Sequence, residues 1–174
     1  RTIYVQTIFD TATLLRSYGK SENCNAPTGL SHPSSDPNFK TWVYMLTNWL
    51  DQLSGQASGN LDVQAKVNDT INWRSNSLSS NTGDSAVIYK ITTDSDGVIS
   101  TPRIQLTSPT VTLPKASLQD ETVWPCPCAS QDAPDTDIFW QSTVRKTGGT
   151  AYKVYFFIDT EEYGVKKRYY YWWD

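Results

Sequence analysis

Histidine and long apolar runs are scarce in this chain of 174 residues, and each shortage excludes a class of function. His32 is the single histidine, so a histidine-rich zinc site is excluded by count. Any Ser-His-Asp or Cys-His mechanism would have to use His32, yet the chain has no Gly-x-Ser-x-Gly element. No apolar run approaches the roughly 20 residues that a membrane span needs. We therefore expect no catalytic residues, no enzyme and no membrane partner.

Charge and cysteine are also limited. Charged residues make up 19% of the chain and the net charge is -3, so nucleic acid and anionic membranes are not expected as partners. The three cysteines are an odd count. A proline restricts the tight ring that Cys126 and Cys128 would form, so Cys24 with one of them is the better disulfide candidate. Three reduced thiols in a cytosolic protein are an equal alternative.

Carboxylates suggest two cation sites, and both have a simpler interpretation. The segment Asp94-Ser-Asp-Gly97 resembles the start of a calcium loop, but position 105 is Gln where the closing Glu would stand. A β-turn is the better interpretation. Asp132, Asp135 and Asp137 cluster in a polar stretch, where solvated charges are the better account. We predict no metal site.

Strand formers dominate the periodic segments, and turn residues separate them at short intervals. This pattern predicts an all-β fold, a single-domain antiparallel β-sandwich of jelly-roll or Ig-like type that spans residues 1–174. One short helix is predicted over 10–18, with Asp10 or Thr11 as its cap and Gly19 as its stop. The predicted strands cover residues 2–9, 41–47, 61–67, 70–75, 86–93, 103–106, 110–113, 138–144, 151–158 and 166–173.

Two hairpins stand out among these strands. Residues 61–67 alternate between apolar and polar, and a turn at Asn68-Asp69 leads into residues 70–75, so a hairpin with one buried face is predicted. The segment 41–47 is apolar on both faces, as in a central strand. The second hairpin joins 151–158 to 166–173 through Glu-Glu-Tyr-Gly and is unusually rich in aromatic rings.

The aromatic hairpin is the strongest functional signal. We expect the Gly148-Gly149 loop to place strands 138–144 and 151–158 side by side, so that rings on one face cluster. Rings hold a planar body, and a guanidinium pairs with an acidic group. A site for a flat ligand is therefore predicted from Trp140, Tyr155, Phe157 and Tyr170 with Arg145 or Arg168. Packing of the same rings into the core is the simpler alternative.

The last strand also suggests self-association. Tyr170 and Trp172 face opposite to Tyr169, Tyr171 and Trp173, so one set lacks an obvious place in the core. We expect a homo-oligomer in which a second copy buries that set.

Several stretches together resemble a known family. They span most of the chain in order, and the most specific is Gly-Asn-Leu-Asp-Val-Gln-Ala-Lys-Val-Asn-Asp-Thr at residues 59–70. The others are Trp42-Val-Tyr-Met45, Ile71-Asn-Trp-Arg74, Ala86-Val-Ile-Tyr-Lys-Ile91 and the closing aromatic hairpin. The chain resembles the PixA/AidA-like inclusion body proteins. The resemblance implies a compact all-β domain that accumulates to high concentration, without catalytic residues to carry over.

Three functions are consistent with these observations. The first is a non-enzymatic protein that holds a flat conjugated small molecule, which would then be a bound aromatic cofactor. The second is an abundant storage or inclusion protein without a ligand. The third is a lectin in which a ring stacks on a sugar. For each we expect a cytoplasmic protein or one held in intracellular inclusions rather than a secreted one.

Overall fold

A computed structural model describes residues 1–30, 42–94, 96–114 and 130–174. Cys24 is exposed, and its predicted partners Cys126 and Cys128 lie outside the described residues, as does His32. The chain clusters into two compact units, Arg1–Ile104 with Phe139–Asp174 and the much smaller Gln105–Ile138.

One helix and thirteen strands lie in the described residues. The helix is α1 (Thr11–Ser17). The strands are β1 (Thr2–Phe9), β2 (Thr28–Gly29), β3 (Val43–Leu46), β4 (Gln52–Ser54), β5 (Asp62–Val63), β6 (Thr70–Ser77), β7 (Ser85–Thr93), β8 (Arg103–Thr107), β9 (Thr110–Pro114), β10 (Ser130–Pro134), β11 (Asp137–Thr143), β12 (Tyr152–Glu162) and β13 (Val165–Trp173).

The strands confirm the all-β prediction with one short helix near the N-terminus. A first sheet has the order β3-β1-β6-β11-β8, and a second has the order β2-β13-β12-β7. The sheets are mixed, which corrects the expectation of purely antiparallel pairing: β1 runs parallel to β6 with Thr2 opposite Thr70, and β2 runs parallel to β13. Parallel neighbours need a long crossover, and 60 residues between β1 and β6 supply it.

Helix α1 begins as its sequence predicts. The Asp10 carboxylate accepts a hydrogen bond from the Thr13 backbone N–H at 3.0 Å, so it satisfies one of the unpaired donors of the first turn. The helix ends with Tyr18 in an extended conformation, one residue before the predicted stop at Gly19. In the described residues no helix has the length and apolar character needed to cross a membrane.

The predicted hairpin of residues 61–67 with 70–75 is wrong. Only Asp62–Val63 of the first segment is a strand, and it pairs with β4, whereas β6 pairs with β1 and β11. The alternation of 61–67 is nevertheless visible in burial: Leu61 is buried and Val63 and Ala65 pack against the core, but Val67 is exposed. The physical reason is that β1 pairs with β6 along its whole length, so that this edge of β6 is not available to residues 61–67.

Strand β3 corrects a second expectation. Its Val43–Leu46 lies at the edge of the first sheet and pairs only with β1 in the sheet order, so it is not a central strand. Its outer edge is bonded instead to a loop, since the Met45 backbone N–H donates to Ser58 O at 2.9 Å. Loop contacts therefore bury Met45 completely without a second strand.

Four large rings form the centre of the core in the larger unit. Phe9 of β1 stacks on Phe156 of β12 with ring centroids 4.3 Å apart. Phe156 in turn lies 5.4 Å from Tyr171 and 5.4 Å from Trp173, both on β13. All four are nearly free of solvent, and the Trp173 indole N–H donates to Gly59 O. The two sheets therefore meet through aromatic contacts.

The smaller unit contains a two-stranded hairpin. Strand β9 pairs antiparallel with β10, with Val111 opposite Ala133. The three aspartates of this stretch lie in β10, just after it and at the start of β11: Asp132, Asp135 and Asp137. Among the described residues, no group of three or more metal-ligating side chains is close enough to hold an ion.

Candidate functional site

The β12–β13 hairpin brings most of the predicted ring residues together on the outer face of the second sheet. Phe157 lies directly opposite Tyr170 across the two strands, with ring centroids 6.3 Å apart. Tyr89 of β7 joins them, 5.6 Å from Tyr170 and 6.2 Å from Tyr155. We call these four half-buried rings the outer cluster.

A β-bulge explains why Tyr89 belongs to the outer cluster. The pairing of β12 with β7 shifts between Tyr155 and Phe156, so that Lys90 lies opposite Tyr155 and Ile88 opposite Phe156. Tyr89 is the extra residue of the bulge, and both Tyr89 and Lys90 turn away from the core while Ile91 returns to it. Strict alternation from Ile88 would have placed Lys90 inside.

The cations of the outer cluster are already engaged. The Arg168 guanidinium lies 3.8 Å from the centre of the Phe157 ring and donates two hydrogen bonds to Asp159, at 2.6 and 2.7 Å. The bonds to Asp159 raise the pKa of Arg168 further above its ordinary value. Lys90 lies 4.8 Å above the Tyr155 ring. The rings and cations thus contact one another directly.

Trp140 and Arg145 lie elsewhere, which corrects the predicted site. Strand β11 pairs with β6 in the first sheet, with Trp140 opposite Trp73, so strands 138–144 and 151–158 are not neighbours. The Trp140 ring packs against the core, and its indole N–H donates to Ile88 O in the second sheet at 3.0 Å. Arg145 is exposed beside a polar groove. The physical reason is that the Gly148-Gly149 loop connects two sheets rather than two adjacent strands.

A cleft of about 540 Å³ opens at one end of the larger unit, where β6 of the first sheet faces the start of β12 in the second. Its volume falls within the range of small-molecule sites. Two chain segments, 61–67 and 146–150, form much of its wall. The remaining lining comes from Val5, Leu53, Ile71, Trp73, Val98, Ile99, Val144 and Tyr152.

The floor of the cleft is apolar and contains two rings. Trp73 and Tyr152 lie with ring centroids 5.8 Å apart at an interplanar angle of 58°. Ile71 and Val144 are buried beside them, as is Val98. Such a floor favours an apolar body and offers ring surface for a flat one.

Tyr152 supplies a polar group at the inner end. Its hydroxyl lies 3.4 Å from Leu61 O and 3.6 Å from Met45 Sδ, at the limit of hydrogen-bond length. Burial raises the pKa of Tyr152 to about 12, so the hydroxyl keeps its proton and stays a donor at neutral pH.

Ion pairs fix the wall formed by residues 61–67. The Asp69 carboxylate accepts from the Lys66 backbone N–H at 2.8 Å and from the Arg1 guanidinium at 3.2 Å, and Arg1 also pairs with Asp51 and donates to Gln64 O. The bond from Lys66, followed by those from Arg1, holds the pKa of Asp69 below its ordinary value. This wall is therefore anchored although it has little regular structure.

The second wall follows β11. The backbone N–H groups of Arg145 and Lys146 both donate to Val98 O, which turns the chain across the mouth of the cleft. Gly148 has a φ of +145°, and a Cβ at that position would lie 3.1 Å from a methyl carbon of Val98. A larger residue would press against the floor, so glycine keeps this side of the cleft open.

Sequence reasoning missed the cleft for a physical reason. Its residues come from segments that are far apart in the chain, and the family stretches 59–70 and 71–74, which supply some of them, do not by themselves indicate a cavity. The one available signal is the apolar alternation of 61–67, which continues through residues that have no strand partner. Alternating apolar side chains on a segment without a strand partner indicate that the segment packs over another surface.

Comparison with known proteins adds a family to this geometry. The family profile described as "PixA: Inclusion body protein" matches residues 1–174. The chain belongs to the PixA inclusion body protein family. The resemblance seen in residues 59–70 and the aromatic hairpin is thereby confirmed.

A solved structure of the same family has the same fold as this PixA-family chain. It is described as the crystal structure of inclusion body protein (PixA) from Burkholderia cenocepacia, with a TM-score of 0.72 and 20% sequence identity. The match covers 99% of this chain and 92% of that one. No curated protein matches the chain.

Proposed function

We propose that this PixA-family protein is a non-enzymatic binding protein that holds a flat, mainly apolar small molecule in the cleft between β6 and β12. The single observation that carries this proposal is the cleft itself, with about 540 Å³ of space above a floor that contains Trp73 and Tyr152. This differs from the predicted site, three of whose rings lie in the outer cluster, where rings and cations already contact one another.

The shape of the cleft supports a flat ligand. Trp73 and Tyr152 lie 5.8 Å apart, and because Trp73 is nearly free of solvent, the ring surface open to a planar body comes mainly from the half-buried Tyr152. To donate to a polar atom of that body, the Tyr152 hydroxyl would exchange its long contact with Leu61 O for a new hydrogen bond. Apolar burial would supply most of the affinity, and the hydroxyl would orient the ligand.

Filling the cleft tests the proposal. Ala65 lines the cleft and packs against the core, so Ala65→Trp should occupy the space with an indole. With N-phenyl-1-naphthylamine, a neutral flat probe, we expect fluorescence enhancement on the wild type and at least roughly tenfold weaker binding to this variant, since about 1.4 kcal/mol is a factor of ten. Fluorescence titration measures both dissociation constants.

The matched control is Ala26→Trp, which adds the same ring at an exposed position outside the cleft. It should bind the probe as the wild type does. Wild-type binding that survives Ala65→Trp in a folded protein would show that the probe lies elsewhere. Separately, native mass spectrometry and the absorption spectrum of the protein from its natural source would identify the ligand that the cell supplies.

Family membership favours a second function, storage in intracellular inclusions through self-association. The half-buried outer cluster is the surface we propose for contact between copies, because Tyr169, Tyr171 and Trp173 are buried in the core and leave Tyr170 and Trp172 outside. The edge of β13 itself is occupied, since Tyr170 N–H donates to Ser21 O and Leu30 N–H donates to Trp172 O. Association would therefore occur face to face rather than edge to edge.

Sedimentation velocity at high micromolar concentration tests this second function. We expect the wild type to form oligomers and Phe157→Ser, in the outer cluster, to shift the equilibrium toward monomers. Tyr163→Ser is the control, because Tyr163 is a fully exposed ring at the tip of the β12–β13 hairpin. A monomeric wild type, or equal effects of both variants, would contradict association through the outer cluster.

A further inference from the structure

We propose that the cleft selects a monoanionic amphiphile, a molecule whose flat apolar body enters the cleft while its carboxylate or sulfonate stays at the mouth. This inference rests on the proposed function and specifies its ligand class. The juxtaposition that carries it is an apolar floor beneath two lysines and a row of unpaired peptide N–H groups.

The two lysines lie on different walls of the cleft. Lys66 belongs to the wall 61–67 and Lys146 to the wall 146–150, and both line the cavity while remaining exposed. Neither ammonium forms an ion pair with a carboxylate in the part of the chain that the structure describes. Because both side chains border the same cleft, an anion at its mouth can be attracted by either ammonium.

The nearby acids do not neutralise this pair. Asp62 also lines the cleft, but its carboxylate accepts a hydrogen bond from Ser54 Oγ at 2.5 Å. The Asp69 carboxylate is bonded to Arg1 and to the backbone of Lys66 rather than to a lysine ammonium. Two cations therefore stand against one carboxylate in the lining, an excess that matches one negative charge on a ligand.

Backbone donors complete the mouth. Among the described residues, the backbone N–H groups of 147–150 have no hydrogen-bond acceptor within the protein. Thr147, Gly148, Gly149 and Thr150 all line the cleft. Exposed peptide N–H groups bind water when the cleft is empty, and an oxyanion can replace that water with charge-assisted hydrogen bonds.

The floor excludes small inorganic anions as the main ligand. Ile71, Trp73 and Val144 are buried apolar residues, and a hydrated phosphate or sulfate would gain nothing from covering them. An apolar body without charge would leave the lysines and the N–H groups unpaired. The ligand that uses both parts of the cleft is apolar at one end and acidic at the other.

A matched pair of fluorescent probes separates the two contributions. 1-Anilinonaphthalene-8-sulfonate and N-phenyl-1-naphthylamine share one flat body and differ by a sulfonate. In Lys66→Gln/Lys146→Gln we expect the sulfonate probe to bind roughly three- to tenfold more weakly, because two exposed charge contacts are lost. The neutral probe should bind that variant as it binds the wild type. In the wild type, the difference in affinity between the sulfonate probe and the neutral probe should shrink at high salt.

The control is Arg16→Gln/Lys166→Gln, which removes two exposed cations outside the cleft and leaves the same net charge as the test variant. It should retain wild-type affinity for both probes. If the cleft variant weakens both probes equally, or neither, selection of an anion is overturned while the Ala65→Trp result still supports the proposed function. If neither probe binds the wild type, both the anion selectivity and the proposed function are overturned.

Discussion

Phe156→Ala is expected to lower the free energy of unfolding by about 3–5 kcal/mol, the usual cost of removing a buried phenyl ring from a core. Phe156 has no exposed surface and contacts Phe9, Tyr171 and Trp173. The rings from both sheets therefore lose a shared neighbour at once, and they cannot collapse into the gap without shifting a strand. Urea denaturation followed by tryptophan fluorescence measures the change, with an unaltered slope as the sign that the native fold persists.

The adjacent residue is the control for this substitution. Phe157 has the same side chain on the same strand, but it faces outward and is half-buried beneath Arg168. We expect Phe157→Ala to cost only roughly 1 kcal/mol, since its ring keeps contact with water in the folded state. Equal losses at the two positions would mean that the inner and outer faces of β12 have been assigned wrongly.

Gly55→Ala is expected to be the second most damaging substitution. Gly55 has a φ of +72°, and a Cβ there would lie 1.8 Å from the backbone oxygen of Asn60. The left-handed conformation alone costs roughly 1–2 kcal/mol for alanine. Relief of the overlap requires movement of the backbone, for which we expect a further cost of roughly 1–3 kcal/mol. Thermal unfolding by circular dichroism measures the combined loss.

The overlap matters because the loop 55–60 holds other parts of the core. Ser58 O accepts from the Met45 backbone N–H and the Ala57 N–H donates to Met45 O at the edge of β3, while Gly59 O accepts from the Trp173 indole. The control is Gly164→Ala, where φ is +77° and nothing lies within 4 Å of the new Cβ. It should show the conformational cost without the overlap. A loss at Gly55 no larger than the loss at Gly164 would refute the steric explanation.

Elements defined by neighbouring residues could be predicted from the sequence. The Asp10 cap and the helix that follows depend on contacts three residues apart. The β12–β13 hairpin turns at Tyr163-Gly164, both with positive φ, so adjacent strands meet across two residues. In both cases the partner is close in sequence, and the pattern of side chains contains enough information to specify it.

Partners distant in sequence could not be predicted in the same way. Residues 61–67 alternate as a strand does, and only the placement of β1 beside β6 prevents them from pairing with β6. The same ambiguity affected the site. Tyr155, Phe157, Tyr170 and Arg168 lie on one hairpin and come together, whereas Trp140 faces the core from the other sheet. The cleft depends on the meeting of two sheets, which no single segment encodes.

The contact of Phe9 with Trp173 has a consequence for the order of events in folding. These rings lie 5.6 Å apart in the folded protein although their positions differ by 164 residues along the chain. Closing a loop of that length has an entropic cost, so we expect the Phe9–Trp173 contact to form late, after contacts between residues nearer in sequence. Until it forms, β1 exposes part of its apolar face, and in this interval the chain is most prone to aggregate.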